Sequence, residues 1–487
     1  MSALDLEQIL SSTTPLPDNF LFGVSTAGFQ AEGGFNGPGE PANNWRAWEA
    51  EGKVEPSGLA VEFWDRYEFH LDKVVELGCN AFRMGVEWAR VEPREGHIDH
   101  EALERYAAIL AACRERGLRP LVTLHHFTHP HWLGERFWLD PTSPERFVPW
   151  VQTAVGALGE HAKDWVTLNE INILALQSYL TGMFPPGGRA EFESFRRAFD
   201  HLATAHVLAY DVVHRHQPDA SVATNTLNFS MYELDRVVTD ILTARLHGIS
   251  RDDLDGWLRD RRSQYHGSLA SFWNPSRFER LLRPVVAKAI PLAAAFPRLI
   301  EAVYDSPHEC TLDTTQIDFY NPDTSSHLRL PGHKTLGGRN WLPGRLLWDD
   351  HIDPAAFAEY SARSTAPHRR LWVAENGLCN RVRNGHAFAR TDGWTRERYL
   401  REYLAAMMSA IDDGVPIEAY FHWCLVDNYE WGSYEPRFGV YGVDRERGVR
   451  WLDTDSMGGD AAGTYRRLIA GLRAGDRSVL AEPHPAS

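Results

Sequence analysis

Two glutamates far apart in the chain share one local setting. Leu371-Trp372-Val373-Ala374 is an apolar run of good β-propensity that ends in Glu375, followed by Asn376-Gly377, a strong turn signal. Trp165-Val166-Thr167-Leu168-Asn169 leads in the same way to Glu170. A strand that ends in a lone carboxyl group delivers it to the rim of a sheet. Two such strands, if the fold brings them face to face, supply one ionised carboxylate and one protonated carboxyl, which is the equipment for cleaving a glycosidic bond. Either glutamate alone reads as a surface residue; the pair at matching strand ends reads as a site.

Other β-rich runs end in polar or aromatic side chains. Gln30 lies beyond the first, Arg83 lies in the second, His125-His126 ends the third and Tyr320 follows the sixth. Trp423 ends the last, with Asp427, Asn428, Glu430 and Trp431 in the loop after it. Polar groups converging with tryptophans suit a sugar, whose hydroxyls take hydrogen bonds and whose C–H face packs on indole. His125, His126, His129 and His131 lie along one extended segment, whereas zinc wants at least three converging ligands, so neither a metal nor a cofactor is expected. Trp132, Trp138, Trp341 and Trp348 either line an aglycone cleft or pack under long loops.

The elements that must position these residues alternate. Strands are expected at Phe20–Val24, Asn80–Val86, Leu118–Leu124, Val166–Leu168, Ser221–Leu227, Ile317–Tyr320, Leu371–Ala374 and Pro416–Trp423. Between them run helical patterns at Trp64–Gly78, His100–Gly117, Pro144–His161, Phe192–His216, Pro354–Ser364 and Arg396–Asp413. Eight strands alternating with helices imply a parallel sheet closed into a (β/α)₈ TIM barrel. The alternative, an open doubly wound sheet, wants a GxGxxG loop that the sequence lacks. The residues beyond a minimal barrel fall mainly between Asn228 and Thr315 and between Ser325 and Asp350. No linker divides the chain, so residues 1–487 are expected to form a single domain.

The chain is 43% hydrophobic and 24% charged, with 50 Lys and Arg against 66 Asp and Glu and a net charge of −16. That balance disfavours nucleic acid, and Arg259 to Arg262 reads as a solvated helix face. Neither a secretory signal nor a membrane span is apparent, and the five cysteines (Cys79, Cys113, Cys310, Cys379 and Cys424) are scattered without a CxxC. A cytoplasmic protein with reduced thiols is expected; self-association into a homo-oligomer is left open.

From Phe20-Leu-Phe-Gly-Val-Ser-Thr-Ala to about Asp444 the chain resembles family 1 of the glycoside hydrolases, the β-glucosidase and β-galactosidase family. Thr167-Leu-Asn-Glu170 resembles its acid/base motif, Glu375-Asn-Gly377 its nucleophile motif, and Phe421 to Trp431 its glycone-binding run. The resemblance implies Glu375 as nucleophile and Glu170 as general acid, then base. It places Arg83 and Tyr320 beside the nucleophile, where a cation and a phenol favour the Glu375 anion. It assigns Gln30, His126, Asn169, Glu430 and Trp431 to glycone hydroxyls and Trp423 to the platform under the ring. Glu430 argues against a 6-phospho sugar, because a carboxylate repels the dianion.

Four positions depart from that pattern: Ile171 for Pro, Gly85 for Ser, Phe127 for Trp and Asp318 for Asn. A third carboxylate at Asp318 should raise a neighbouring pKa or demand a cation, which suggests an unusual glycone such as an amino sugar. The expected activity is a metal-independent retaining β-glycosidase that releases a terminal glucose, galactose or fucose type of sugar from an aglycone or short oligosaccharide. Its rivals are an enzyme tuned for transglycosylation and a catalytically silent barrel that binds a glycoside or a protein.

Overall fold

The computed structural model describes residues 4–229, 231–272, 277–320, 352–383, 386–446 and 448–481. Its main sheet contains β1 (Leu21–Ser25), β2 (Ala81–Gly85), β3 (Arg119–Thr123), β4 (Asp164–Val166), β5 (Ser221–Ala223), β6 (Asn225–Leu227), β7 (Thr314–Asp318), β8 (Arg370–Asn376) and β9 (Ile417–Trp423). All neighbours pair in parallel, in the order β5-β4-β3-β2-β1-β9-β8-β7-β6. Only Thr224 separates the two ends of that order, and its hydroxyl donates to the Leu168 carbonyl at 2.7 Å. The predicted fifth strand is therefore one segment broken in the middle. Its first half pairs with β4 and its second with β7, which closes an eight-stranded (β/α)₈ barrel.

The barrel interior is plugged on one side by Leu21, Ala81, Leu121, Val166, Trp372, Ala419 and Phe421. These residues come from six different strands and, apart from Val166 at the end of the short β4, sit at strand starts or short of the last residue, which leaves the C-terminal ends for polar side chains. Helices cover the outside. Phe192–His216 coincides with its predicted span, and Phe63–Glu76, His100–Glu115, Ser143–Leu158, Pro354–Arg363 and Arg396–Asp412 lie within a few residues of theirs.

Two strands start earlier than the sequence suggested. β4 ends at Val166 rather than Leu168, and β7 spans Thr314–Asp318 rather than Ile317–Tyr320. In β7 the buried residues Thr314, Thr315, Gln316 and Asp318 are polar, so an apolar-run criterion catches only its last part. Gln30 lies in a short helix, Gly28–Ala31, rather than a loop. The helices Ile171–Tyr179 and Ala461–Arg473 were not anticipated.

Among the described residues, no helix is long and apolar enough to cross a membrane. All five cysteines are free and buried. Arg259, Arg261 and Arg262 pair with Asp255, Asp240 and Glu233, so this basic run is spent on ion pairs within the chain rather than simply solvated. Trp341, Trp348 and the loop expected from Ser325 to Asp350 lie outside the described residues.

Candidate active site

Glu375 does not end its strand. β8 continues through Asn376, and between Val373 and Glu375 it carries one more residue than either neighbour, a bulge at Ala374. The carbonyl of Ala374 accepts from Ser25 Oγ at 2.6 Å and from Arg83 Nη1 at 3.5 Å. Bulges of this kind re-aim the following side chain. Glu375 accordingly points into the barrel mouth, where Oε1 pairs with Arg83 Nη1 at 2.5 Å and Oε2 accepts from the Tyr320 hydroxyl at 2.6 Å.

Asn376 faces the other way and supports the strand. Its amide donates to the Phe319 carbonyl at 2.6 Å and to Tyr399 Oη at 2.8 Å, and its Oδ1 accepts from Tyr420 Oη at 2.7 Å. Gly377 was read as a turn residue, but its φ is not left-handed. A Cβ there would lie 2.0 Å from the Trp423 carbonyl oxygen. Glycine is required because two backbones touch.

Glu170 sits four residues past β4, in left-handed backbone with φ 37° and ψ 59° as the N-cap of Ile171–Tyr179. Ile171 is the first helical residue, the position that best tolerates proline, so this departure leaves the turn intact. The Glu170 N–H donates to Asn225 Oδ1 at 3.1 Å, and Asn225 Nδ2 donates to Asn169 Oδ1 at 2.9 Å and also to Asp318 Oδ2. Asn169 Oδ1 accepts from Arg83 as well, and its amide donates to His126 Nε2 at 3.1 Å. Carboxylate oxygens of Glu170, Asp318 and Glu375 lie within 4.8 Å of one another, and this trio is the one place among the described residues where three metal-capable side chains converge. Arg83 already supplies a cation there.

The far wall comes from loops after β1, β3 and β9. Gln30 Nε2 donates to Glu430 Oε2 at 3.0 Å. The His126 ring stacks between Trp423 and Trp431, with centroids 5.8 and 5.7 Å away. Phe127 packs on Trp431 at 4.9 Å and on Phe184 at 5.2 Å, so it closes an aromatic wall and offers no donor. Gln30, Arg83, His126, Asn169, Glu170, Asp318, Tyr320, Glu375, Trp423, Glu430 and Trp431 thus lie together at one barrel mouth.

Comparison with known families matches residues 12–260 and 351–455 to Glycosyl hydrolase family 1. The chain belongs to glycosyl hydrolase family 1. This glycoside hydrolase is 26% identical over 464 residues to beta-glucosidase 47 of Arabidopsis thaliana, covering 91% of this chain and 84% of that one. It is 27% identical over 475 residues to a 6-phospho-beta-galactosidase of Staphylococcus aureus, covering 90% and 96%. Among solved structures, a beta-glucosidase from Exiguobacterium marinum matches with a TM-score of 0.68 at 22% identity, covering 94% of this chain and 99% of that one. A family 1 β-glucosidase from Thermotoga maritima matches with a TM-score of 0.68 at 21% identity, covering 96% and 99%.

The electrostatics of this family 1 site follow from burial. Arg83 and Asp318 are fully enclosed, while Glu170 and Glu375 keep 6% and 3% of their surface, a narrow opening toward the mouth. Burial raises the pKa of Glu375, opposed by Arg83 and the Tyr320 hydroxyl. The expected support for its anion is present, but desolvation outweighs it. Glu170 and Asp318 are both pushed well above the carboxylate range, Glu170 by burial and then by the charges of Asp318 and Glu375. Glu430 is raised to about 8 by burial and by Glu375. Burial and Arg83 drive His126 far down, so its ring is neutral. With Nε2 accepting from Asn169, the proton sits on Nδ1, which has no partner among the described residues.

One residue that joins the site escaped the sequence reading, and others that it named have a structural place. Asn225 ties Glu170, Asn169 and Asp318 together, and its signal was a polar residue amid an otherwise β-rich run. Gly85 stands where a Cβ would meet the Gly28 N atom at 2.8 Å, so the helix that carries Gln30 rests directly on β2. Trp138 is core, edge-on to His125 at 5.2 Å, whereas Trp132 donates to the Glu92 carbonyl at 2.9 Å. The rings of His125 and His129 stack 6.3 Å apart.

A second buried charge cluster supports the loops from below. Arg90 Nε pairs with Glu32 Oε2 at 2.8 Å, and its guanidinium lies between the rings of Phe35 and Trp64 at 4.2 and 4.1 Å. Tyr106 Oη donates to Glu32 Oε1 at 2.7 Å. Glu87 accepts from the Phe29 N–H at 2.8 Å and the Thr128 hydroxyl at 2.6 Å, which joins the Gln30 segment to the one carrying His126.

Proposed function

We propose that this family 1 enzyme is a retaining β-glycosidase. It would act by double displacement, with Glu375 as nucleophile, Glu170 as acid and then base, and residues 1–487 as one catalytic domain. In the first step the Glu375 carboxylate attacks the anomeric carbon, the glycosidic C–O bond breaks, and Glu170 gives its proton to the departing oxygen. In the second, water attacks the glycosyl ester, Glu170 takes the water proton, and Glu375 leaves as carboxylate. The observation that carries this reading is the approach of the Glu170 and Glu375 oxygens within 4.8 Å, with the cation and phenol directed at Glu375 alone. An inverting enzyme needs about 6.5–9.5 Å, to seat a water between the two groups.

Gln30, His126 Nδ1–H, Asn169 and Glu430 are placed to meet the hydroxyls of a small-molecule β-glycoside or oligosaccharide, against Trp423 and Trp431. A neutral glycone of the glucose, galactose or fucose type fits Glu430 better than a 6-phospho sugar. The groups acting on Glu430 are Glu375, Gln30 and Trp423, none of them a cation. A panel of nitrophenyl β-glycosides and their 6-phosphates tests the glycone. A 2-fluoro glycoside tests the route: mass spectrometry should find the sugar on the peptide bearing Glu375. Label elsewhere, or turnover with inversion at the anomeric carbon, would sink the proposal.

A further inference from the structure

We propose that Asp318 shares the proton of the acid/base, so that Glu170 and Asp318 work as a carboxyl–carboxylate dyad. The proposal rests on the reading of Glu170 as acid and base. Asp318 ends β7, in register with Glu375 on one side and Leu227 on the other, and is wholly enclosed. A carboxyl oxygen of Asp318 lies within 4.8 Å of one of Glu170. Asn225 fixes the pair by accepting from the Glu170 backbone and donating to Asp318 Oδ2.

Two enclosed carboxyl groups this close cannot both ionise cheaply. The charged groups acting on both are Glu375 and Arg83, with the Tyr320 phenol nearby. Arg83 is already engaged by Glu375, Asn169 and the Thr123 hydroxyl, so it is not free to neutralise a further anion. The remaining solution is one proton held between the two groups. The expected demand for a cation at Asp318 is met by its neighbour's hydrogen.

The consequence follows the charge through the two steps. Before reaction, Glu375 carries one negative charge and the dyad another. As Glu375 becomes a neutral ester and Glu170 protonates the leaving oxygen, both charges reside on the dyad. Glu170 is then a carboxylate beside a carboxylate, a strengthened base for taking a proton from water. Asp318 acts through Glu170, as a positioning residue for its proton.

The test is the pH profile of kcat/KM on a neutral nitrophenyl β-glycoside. Asp318→Asn replaces an anion with an amide that stabilises ionised Glu170. The basic limb, which marks loss of the acid, should therefore move down by a unit or more, with a smaller movement of the acidic limb. Asp318→Ser, which cannot titrate either, should shift it in the same direction and guards against an effect peculiar to the amide. Thermal melting checks that both variants are folded. An unmoved basic limb in both folded variants would overturn the dyad. So would an unchanged profile with activity lost only on 2-amino-2-deoxy glycosides, since Asp318 would then be a partner for a substrate cation. Glu170→Gln separates the underlying assignment: wild-type turnover in that variant would remove Glu170 as acid and the dyad with it.

Discussion

Two enclosed clusters of like composition form around Arg83 of β2 and Arg90 of the short helix Trp88–Val91 that follows it. One places Glu170, Asp318 and Glu375 around Arg83, with Tyr320 donating. The other places Glu32 and Glu87 beside Arg90, with Tyr106 donating. In the second, each carboxylate oxygen has a donor: Tyr106 and Arg90 for Glu32, and Phe29 N–H and Thr128 for Glu87. In the first, Glu170 Oε1 and Asp318 Oδ1 find no donor among the described residues, and on the facing wall Gln30 Oε1 finds no donor there and His126 Nδ1–H no acceptor. Buried polar groups are normally satisfied, and leaving one bare costs about 1–3 kcal/mol. The filled cluster holds structure; the bare atoms belong to whatever enters the mouth.

The comparison is sharpened most by removing the nucleophile. Glu375→Gln is expected to lower kcat on the order of 10⁴-fold or more without lowering the thermal midpoint. Residual activity within tenfold of wild type would erase the distinction between the clusters. Glu170→Gln should cost roughly 10²–10⁴-fold, more for poor leaving groups than for nitrophenol, again with the fold intact. In the other cluster the signs reverse. Glu32→Ala strands Arg90 without its partner and should cost about 3–5 kcal/mol in urea unfolding, while kcat changes by less than about tenfold.

The smallest expected effect is a pH dependence. Burial and the neighbouring Glu32 push Glu87 from 4.5 up to about 7. A carboxyl with a raised folded-state pKa binds more protons folded than unfolded. Its contribution is therefore fully present below pH 4.5 and is lost as the pH rises through about 7. Wild-type stability should fall by ~3 kcal/mol across that window. Glu87→Gln should flatten the slope, and a slope that survives the substitution would assign it to another group.

The sequence displayed the barrel through its alternation and the proposed catalytic pair through glutamates that follow β-rich runs, because both are local patterns, although Glu375 lies within its strand and Glu170 four residues beyond its own. Arg83, Tyr320 and the polar and aromatic residues at the other strand ends were legible too, but the roles expected of them came only with the family resemblance, since their convergence is long-range. The break at Thr224, the bulge at Ala374 and the bridging role of Asn225 stayed hidden. Each depends on register against strands distant in the chain, and an amide in a β-run carries no mark of the three groups it will join. The polar first half of β7 was missed for a plainer reason: Thr314, Thr315 and Gln316 are buried polar residues, and a search for apolar runs passes over them. Asp318 was legible as an oddity, but its partner was not.

The contact of Gly377 with the Trp423 carbonyl has a consequence for how such an enzyme can diversify. The carboxyl proposed to attack and the tryptophan proposed to lie under the sugar are gauged against each other by main chain on main chain, two residues from Glu375. No side-chain exchange can widen or narrow that gauge. New substrates must therefore be accommodated at the loops bearing Gln30, His126 and Glu430, around a ruler whose length does not change.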